Sequence, residues 1–250
     1  MGTRQSSAPA LPVSIYVWNC SKLLHDEDAA LMTHACQLFV PMFCQAWSLA
    51  PVSIMFVPST SSDCLPPPGS WLFKLIEEAR DVEGALAYHT EENDKVDGYV
   101  MVKTILEDGG VPLYKDDKTE TVASALCHEI FEALGDRYCN GWVDDPTGNK
   151  QFSLENCDPV QDGIVHVKVG DVTVGLSNFV LPSWFDPELV SGKVDYLGQL
   201  NHPFTISPGG YAVVRHLNKS NKIEYVYGHA VKPHKKYPHS NRTLKRCSAT

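Results

Sequence analysis

Nowhere in the 250 residues does an apolar run approach the roughly 18 that a membrane-spanning helix requires. The opening residues, Met1-Gly2-Thr3-Arg4-Gln5-Ser6-Ser7-Ala8-Pro9, are polar where a secretory signal carries its apolar stretch. No export route is visible, and synthesis in a host cytoplasm without membrane association is expected. None of the eight cysteines (Cys20, Cys36, Cys44, Cys64, Cys127, Cys139, Cys157, Cys247) stands in a C-x-x-C pair, which removes a zinc-ribbon reading. A phosphate-binding P-loop, a dinucleotide fingerprint and a Ser-His-Asp arrangement are equally missing. Internal repeats are absent, and the one biased segment is the C-terminal tail.

What is present is the composition of a globular protein, 43% hydrophobic and 20% charged, which excludes disorder of the whole chain and fits one or two domains. Cys36, Cys44 and Cys127 lie in apolar runs and read as small buried hydrophobes. Cys139, Cys157 and Cys247 sit in polar segments, where an oxidising medium could pair them. Charge is divided unevenly. Residues 230–250 hold Lys232, Lys235, Lys236, Arg242, Lys245 and Arg246 and no acid, so the preceding body carries −15 against the −9 of the whole chain. An acidic body argues against nucleic-acid binding. The basic tail is either a solvated terminus or an arm that docks on an acidic partner or on nucleic acid.

Alternating Val13, Ile15 and Val17, and then Val52, Ile54 and Phe56, predict strands at Pro12–Trp18 and Ala50–Val57. Between them a helix is expected from His25-Asp26-Glu27-Asp28, with Leu31, Ala35, Leu38 and Met42 as its stripe and Pro41 kinking or shortening it. Further strands are expected at Trp71–Ile76, Gly84–His89 and Gly98–Ile105, with Glu91–Asp97 as a loop. A second helix is expected over Asp117–Asp136, capped by Asp117 with Glu120 and ending near Gly135. Beyond it, Val165–Val174, Ser177–Leu181, Tyr211–Leu217 and Ile223–Tyr227 read as strands. The class is α+β.

That second helix carries the chemistry. At 3.6 residues per turn, Thr121, Ala125, His128, Glu132 and Asp136 share a stripe with Glu129 at its margin, while Val122, Leu126, Ile130 and Ala133 form the packing side. H-E-x-x-E places His128 and Glu132 one turn apart, where both can reach one cation, and Glu129 can take a proton from a bound water. A solvated polar face would give the same pattern. Glu155-Asn156-Cys157-Asp158-Pro159 downstream offers further oxygen ligands. Tyr88 and His89 end a strand ahead of the helix; a strand-end aromatic beside an exposed His describes them equally well. Trp184 and Phe185 read as core or interface anchors, and Pro208-Gly209-Gly210-Tyr211 as a turn into a strand.

The runs Gly84–His89, Gly98–Thr104 and His128–Asp136, followed by Glu155–Val160, Ser177–Phe185 and Pro208–Tyr211, resemble a family of tailed-bacteriophage virion-associated proteins with a zincin-like, metallopeptidase-like core carrying H-E-x-x-E. The resemblance covers most of residues 80–215. It implies a zincin-like mixed sheet with two main helices over residues 12–145, the motif helix spanning about 117–136. A mainly β part (146–230) packs on that core, between an N-terminal arm (1–11) and the basic tail (231–250). It makes His128 a metal ligand, Glu129 the general base and Glu132 the second ligand, with the third open among Glu155, Asp158 and Asp136. Tyr88 and His89 would lie near a bound peptide. Active zinc peptidases have a second His where Glu132 stands, so calcium, magnesium or no metal stand beside zinc as alternatives. The function expected first is a structural component of the virion, in head, neck or tail, assembled as an oligomer through the arm and tail. An active metallopeptidase and a metal-stabilised binding module are the alternatives.

Overall fold

The computed structural model describes residues 14–61, 66–79 and 85–228. The N-terminal arm, the basic tail, Gly84, Cys64 and Cys247 lie outside them, and with them the expected contacts to virion partners. The strands are β1 (Ser14–Asn19), β2 (Ser53–Val57), β3 (Trp71–Ile76), β4 (Ala87–Glu92), β5 (Lys95–Met101), β6 (Trp142–Asp144), β7 (Lys150–Ser153), β8 (Ile164–Val169), β9 (Val172–Ser177), β10 (Tyr211–His216) and β11 (Lys222–Tyr227). The helices are α1 (Asp26–Ala46), α2 (Val102–Glu107), α3 (Val122–Gly135) and the short α4 (Pro182–Phe185). The α+β class is as expected. Among the described residues no helix is long and apolar enough to cross a membrane.

Five strands form a sheet in the order β2-β1-β3-β5-β4, parallel except for β4, which runs antiparallel to β5 at the edge. A second sheet, β11-β10-β7-β6, and the β8–β9 hairpin come from the C-terminal half. Helices α1 and α3 pack through Phe39, Phe43 and Phe131, whose rings meet Phe179 from beyond the hairpin. Val165, Val174 and Leu176 of the hairpin belong to that same core, while Phe152, Val180, Trp184 and Val214 build a second one under the C-terminal sheet. Gly98 on β5 gives the Phe73 ring of β3 its place, since a Cβ there would strike the ring.

Several expectations are corrected. Helix α1 continues through Pro41, and its buried face is Ala29, Met32, Thr33, Ala35, Cys36, Phe39, Val40, Phe43 and Cys44; of the expected stripe Ala35 is buried, whereas Leu38 and Met42 are exposed. Two packing partners, the sheet on one side and the hairpin with α3 on another, select that wide stripe and leave the expected one half outside. Residues 91–97 are no loop: β4 and β5 turn tightly at Asn93 and Asp94, both left-handed at φ 53° and 63°. Chain that was expected to stay extended to Ile105 bends into α2 after Met101. Residues 178–181 are not a strand but hold short links, Val180 N–H to the Asn156 carbonyl and Leu181 N–H to the Val194 carbonyl. Helix α3 starts later than expected. Its cap is Thr121, whose hydroxyl accepts from Ser124 N–H at 2.7 Å while Ser124 Oγ accepts from Thr121 N–H at 3.2 Å. Asp117 instead faces Tyr114 and His166.

Candidate metal centre

Thr121 does more than cap α3. Its hydroxyl donates to the Gly175 carbonyl of β9 at 3.0 Å, fixing the helix on the hairpin. The helix is buried on nearly every side, so its carboxylates do not form a solvated face: Glu129 and Glu132 are 3% and 0% exposed. Burying carboxylates is costly unless something compensates them.

Nε2 of His128 lies 3.1 Å from Oε1 of Glu132 and 3.2 Å from Oδ1 of Asp158, and donor atoms of the three residues all fall within 4.8 Å of one another. Asp158 opens a single 3-10 turn with Pro159 behind it. The turn is placed by Asn156, whose amide donates to the Phe131 carbonyl at 3.0 Å, and by Gly210, where a Cβ would collide with the Pro159 carbonyl. The Pro208–Tyr211 turn is therefore the wedge that seats Asp158, and Tyr211 also hydrogen-bonds the Asp158 carboxylate. That bond was not anticipated; the one signal for it in the sequence is the close packing that two consecutive glycines permit.

Of the other expected ligands, Glu155 is buried near enough for its charge to act on Glu132 and Asp158. Asp136 caps the end of α3 and accepts from Gly141 N–H at 2.8 Å; it belongs to neither group of convergent donors. Its position at the helix end turns its carboxylate toward the following loop.

The electrostatics record the crowding. Burial, then the charges of Asp158 and Glu155, push the Glu132 carboxyl up to about 8 against the pull of His128. Burial also raises Asp158, overcoming the pull of His128. For His128 burial acts downward, but Glu132 and Asp158 outweigh it and hold the imidazole well above its ordinary value. Asp158 Oδ1 is buried and accepts no well-formed hydrogen bond, with His128 Nε2 3.2 Å away. One nitrogen and two carboxylate oxygens around such an atom suit a divalent cation.

A second group of donors, His89, Glu129 and Glu132, adjoins the first and shares Glu132 with it. Of the two readings of His89, the exposed strand-end imidazole is excluded and a place in the cleft lining is not found: the residue is fully buried, with Nδ1 2.9 Å from Oε2 of Glu129 and Nε2 3.1 Å from Sγ of Cys139. Position 89 points to the helix because side chains alternate along β4. Cys139 and Cys157, although they stand in polar stretches of sequence, are buried free thiols; burial pushes the Cys157 thiol well up.

A small cleft of about 100 Å³ opens beside His128 and Glu129. Ala87 and Tyr88 of β4, Tyr211, Tyr225, His128 and Glu129 are among the residues that line it. Among the described residues β4 is the last strand of its sheet, and its first two residues line the cleft. Family models, curated proteins and solved structures give no match to this chain.

Proposed function

We propose that the chain is a divalent-metal protein with a zincin-like core, built to hydrolyse an extended peptide and carried as a component of a tailed-phage virion. The observation that carries the hydrolytic reading is the convergence of His128, Glu132 and Asp158 behind a cleft that His128 and Glu129 line. His128, Glu132 and Asp158 would hold the metal, and the imidazole donor favours zinc over calcium or magnesium, which prefer all-oxygen sets. A zinc ion held there supplies Lewis acidity to a water and to a carbonyl oxygen.

The chain's own groups do the rest. A peptide entering the cleft would pass Ala87 and Tyr88 of β4, which line it together with His128 and Glu129. Glu129 accepts the proton of the attacking water as its oxygen bonds the scissile carbonyl carbon, then delivers that proton to the amine nitrogen as the C–N bond breaks. Tyr211 steadies Asp158.

The test is a peptidase assay on the zinc-loaded full chain with unstructured peptides, beside Glu129→Gln. Turnover in the wild type that falls about 100-fold or more in the variant, with zinc retained, supports the reading; no turnover with zinc bound rejects it. The near-complete burial of Glu132 and Asp158 favours a second reading, a structural cation that ties α3 to the 155–160 segment of a binding module. Zinc that raises the melting temperature without any hydrolysis would select it. The virion placement rests on the family resemblance, and proteomics of purified particles tests it: the chain is expected to co-purify through a density gradient.

A further inference from the structure

We infer that His89, backed by Cys139, is a positioning residue that holds the Glu129 carboxylate toward the cleft. This rests on the proposed role of Glu129 as general base.

Glu129 has three rotatable side-chain bonds, and a base that swings away from its water loses most of its effect. One of its oxygens is spoken for: Oε2 lies 2.9 Å from Nδ1 of His89. An ionised carboxylate only accepts, so Nδ1 carries the proton and donates. In a neutral imidazole the other nitrogen is then an acceptor, and Cys139 Sγ stands 3.1 Å from Nε2 with a thiol proton to give. The chain of donors runs Cys139 to His89 to Glu129, with both ring nitrogens engaged and the ring orientation fixed. This satisfaction of both nitrogens argues that His89 orients rather than ligates, although its donors fall near Glu132.

His89 and Cys139 are 0% and 1% exposed, and neither lines the cleft, whereas Glu129 does. They can act on a substrate only through Glu129. The surrounding backbone is shaped to hold the pair together. Asp136 accepts from Gly141 N–H and its carbonyl accepts from Cys139 N–H, closing a turn after α3 in which Cys139 takes a left-handed φ of 51°. The turn then grips the tip of the β4–β5 hairpin: Arg137 donates to the Asp94 carbonyl at 2.7 Å, and Tyr138 Oη donates to the Asp94 carboxylate. Both ends of the relay, His89 on β4 and Cys139 after α3, are thus tied to one another at a second point.

The experiment uses the full chain loaded with zinc. His89→Ala removes the donor; His89→Asn keeps an amide N–H at the place of Nδ1. The expected result is unchanged zinc content in both, a kcat about ten- to a hundredfold lower in His89→Ala with KM unaltered, and recovery to within a few fold in His89→Asn. In parallel, nitrogen-15 imidazole spectra of the wild type should show His89 protonated at Nδ1, with a signal that moves in Glu129→Gln. The spectral arm needs neither turnover nor the His89→Ala variant to fold. If the wild type hydrolyses nothing, the peptidase reading falls while the spectra still decide the His89–Glu129 bond. A His89 protonated at Nε2 alone, a signal indifferent to Glu129→Gln, or zinc lost with His89→Ala would each overturn the inference.

Discussion

The side-chain amide of Asn156 donates to the backbone carbonyl of Phe131 at 3.0 Å, crossing the last turn of α3 where Gly135 has no side chain to obstruct it. One residue of that segment is thus pinned to the motif helix, and Asp158, two residues on, arrives opposite His128. The proposed ligands His128 and Asp158 are brought together by this contact although they are far apart in sequence.

Gly135→Ala is therefore expected to act against its helix propensity. Alanine in a helix gains up to about 1 kcal/mol over glycine, but a Cβ here meets the Asn156 amide, and overpacking a closed contact costs about 1–3 kcal/mol. The variant should be less stable in urea by about 1–2 kcal/mol. It should also bind zinc at least about tenfold more weakly by competition titration, because the acidic turn moves with Asn156.

Chelation should lower the melting temperature. A cation that binds only the folded chain adds about 2.7 kcal/mol at a hundred times its dissociation constant, which scanning calorimetry with and without EDTA would read directly.

Zinc binding should release protons and tighten as pH rises. The buried Glu132 carboxyl is pushed up to about 8, and the raised His128 imidazole holds a proton too, so both must be given up to a cation. The sign for the cation-free protein follows by linkage. A carboxyl raised from 4.5 to about 8 binds more protons folded than unfolded, so its contribution falls as pH climbs through that interval. His128, raised from 6.5, adds stability that is present below its unfolded value and lost as pH rises through its folded one. Urea titrations from pH 5 to 9 should thus show cation-free protein weakening with pH and zinc-loaded protein resisting the change.

Tyr211→Phe should leave the fold intact and weaken zinc about tenfold, since it removes one of the bonds that favour the ionised form of Asp158. Competition with a chromophoric chelator measures it.

The separation of His128 and Glu132 by one helical turn was legible in the sequence, because a 3.6-residue repeat puts such positions side by side whatever the tertiary context; their atoms lie 3.1 Å apart. Which later acid faces them was not legible. Glu155, Asp158 and Asp136 differ only in how the chain reverses, and that depends on the Asn156–Phe131 bond and on Gly210 against Pro159. His89 was hidden for a related reason: an imidazole reads as polar until a buried partner is known, and Glu129 is 40 residues away. The α+β class followed from alternating and helical periods. The face of α1 did not, since Leu38 and Met42 are as apolar as the residues that the sheet and hairpin cover. Val102 to Ile105 carries β-branched side chains and reads as strand, yet the chain turns there into α2.

The most direct test of the central claim is elemental analysis of the full chain after zinc loading and gel filtration, beside Glu132→Ala, Asp158→Ala and Asp136→Ala. A centre built from His128, Glu132 and Asp158 predicts about one zinc in the wild type and in Asp136→Ala, and none in the other two. A wild type that holds no zinc, or zinc retained in both Glu132→Ala and Asp158→Ala, would contradict it.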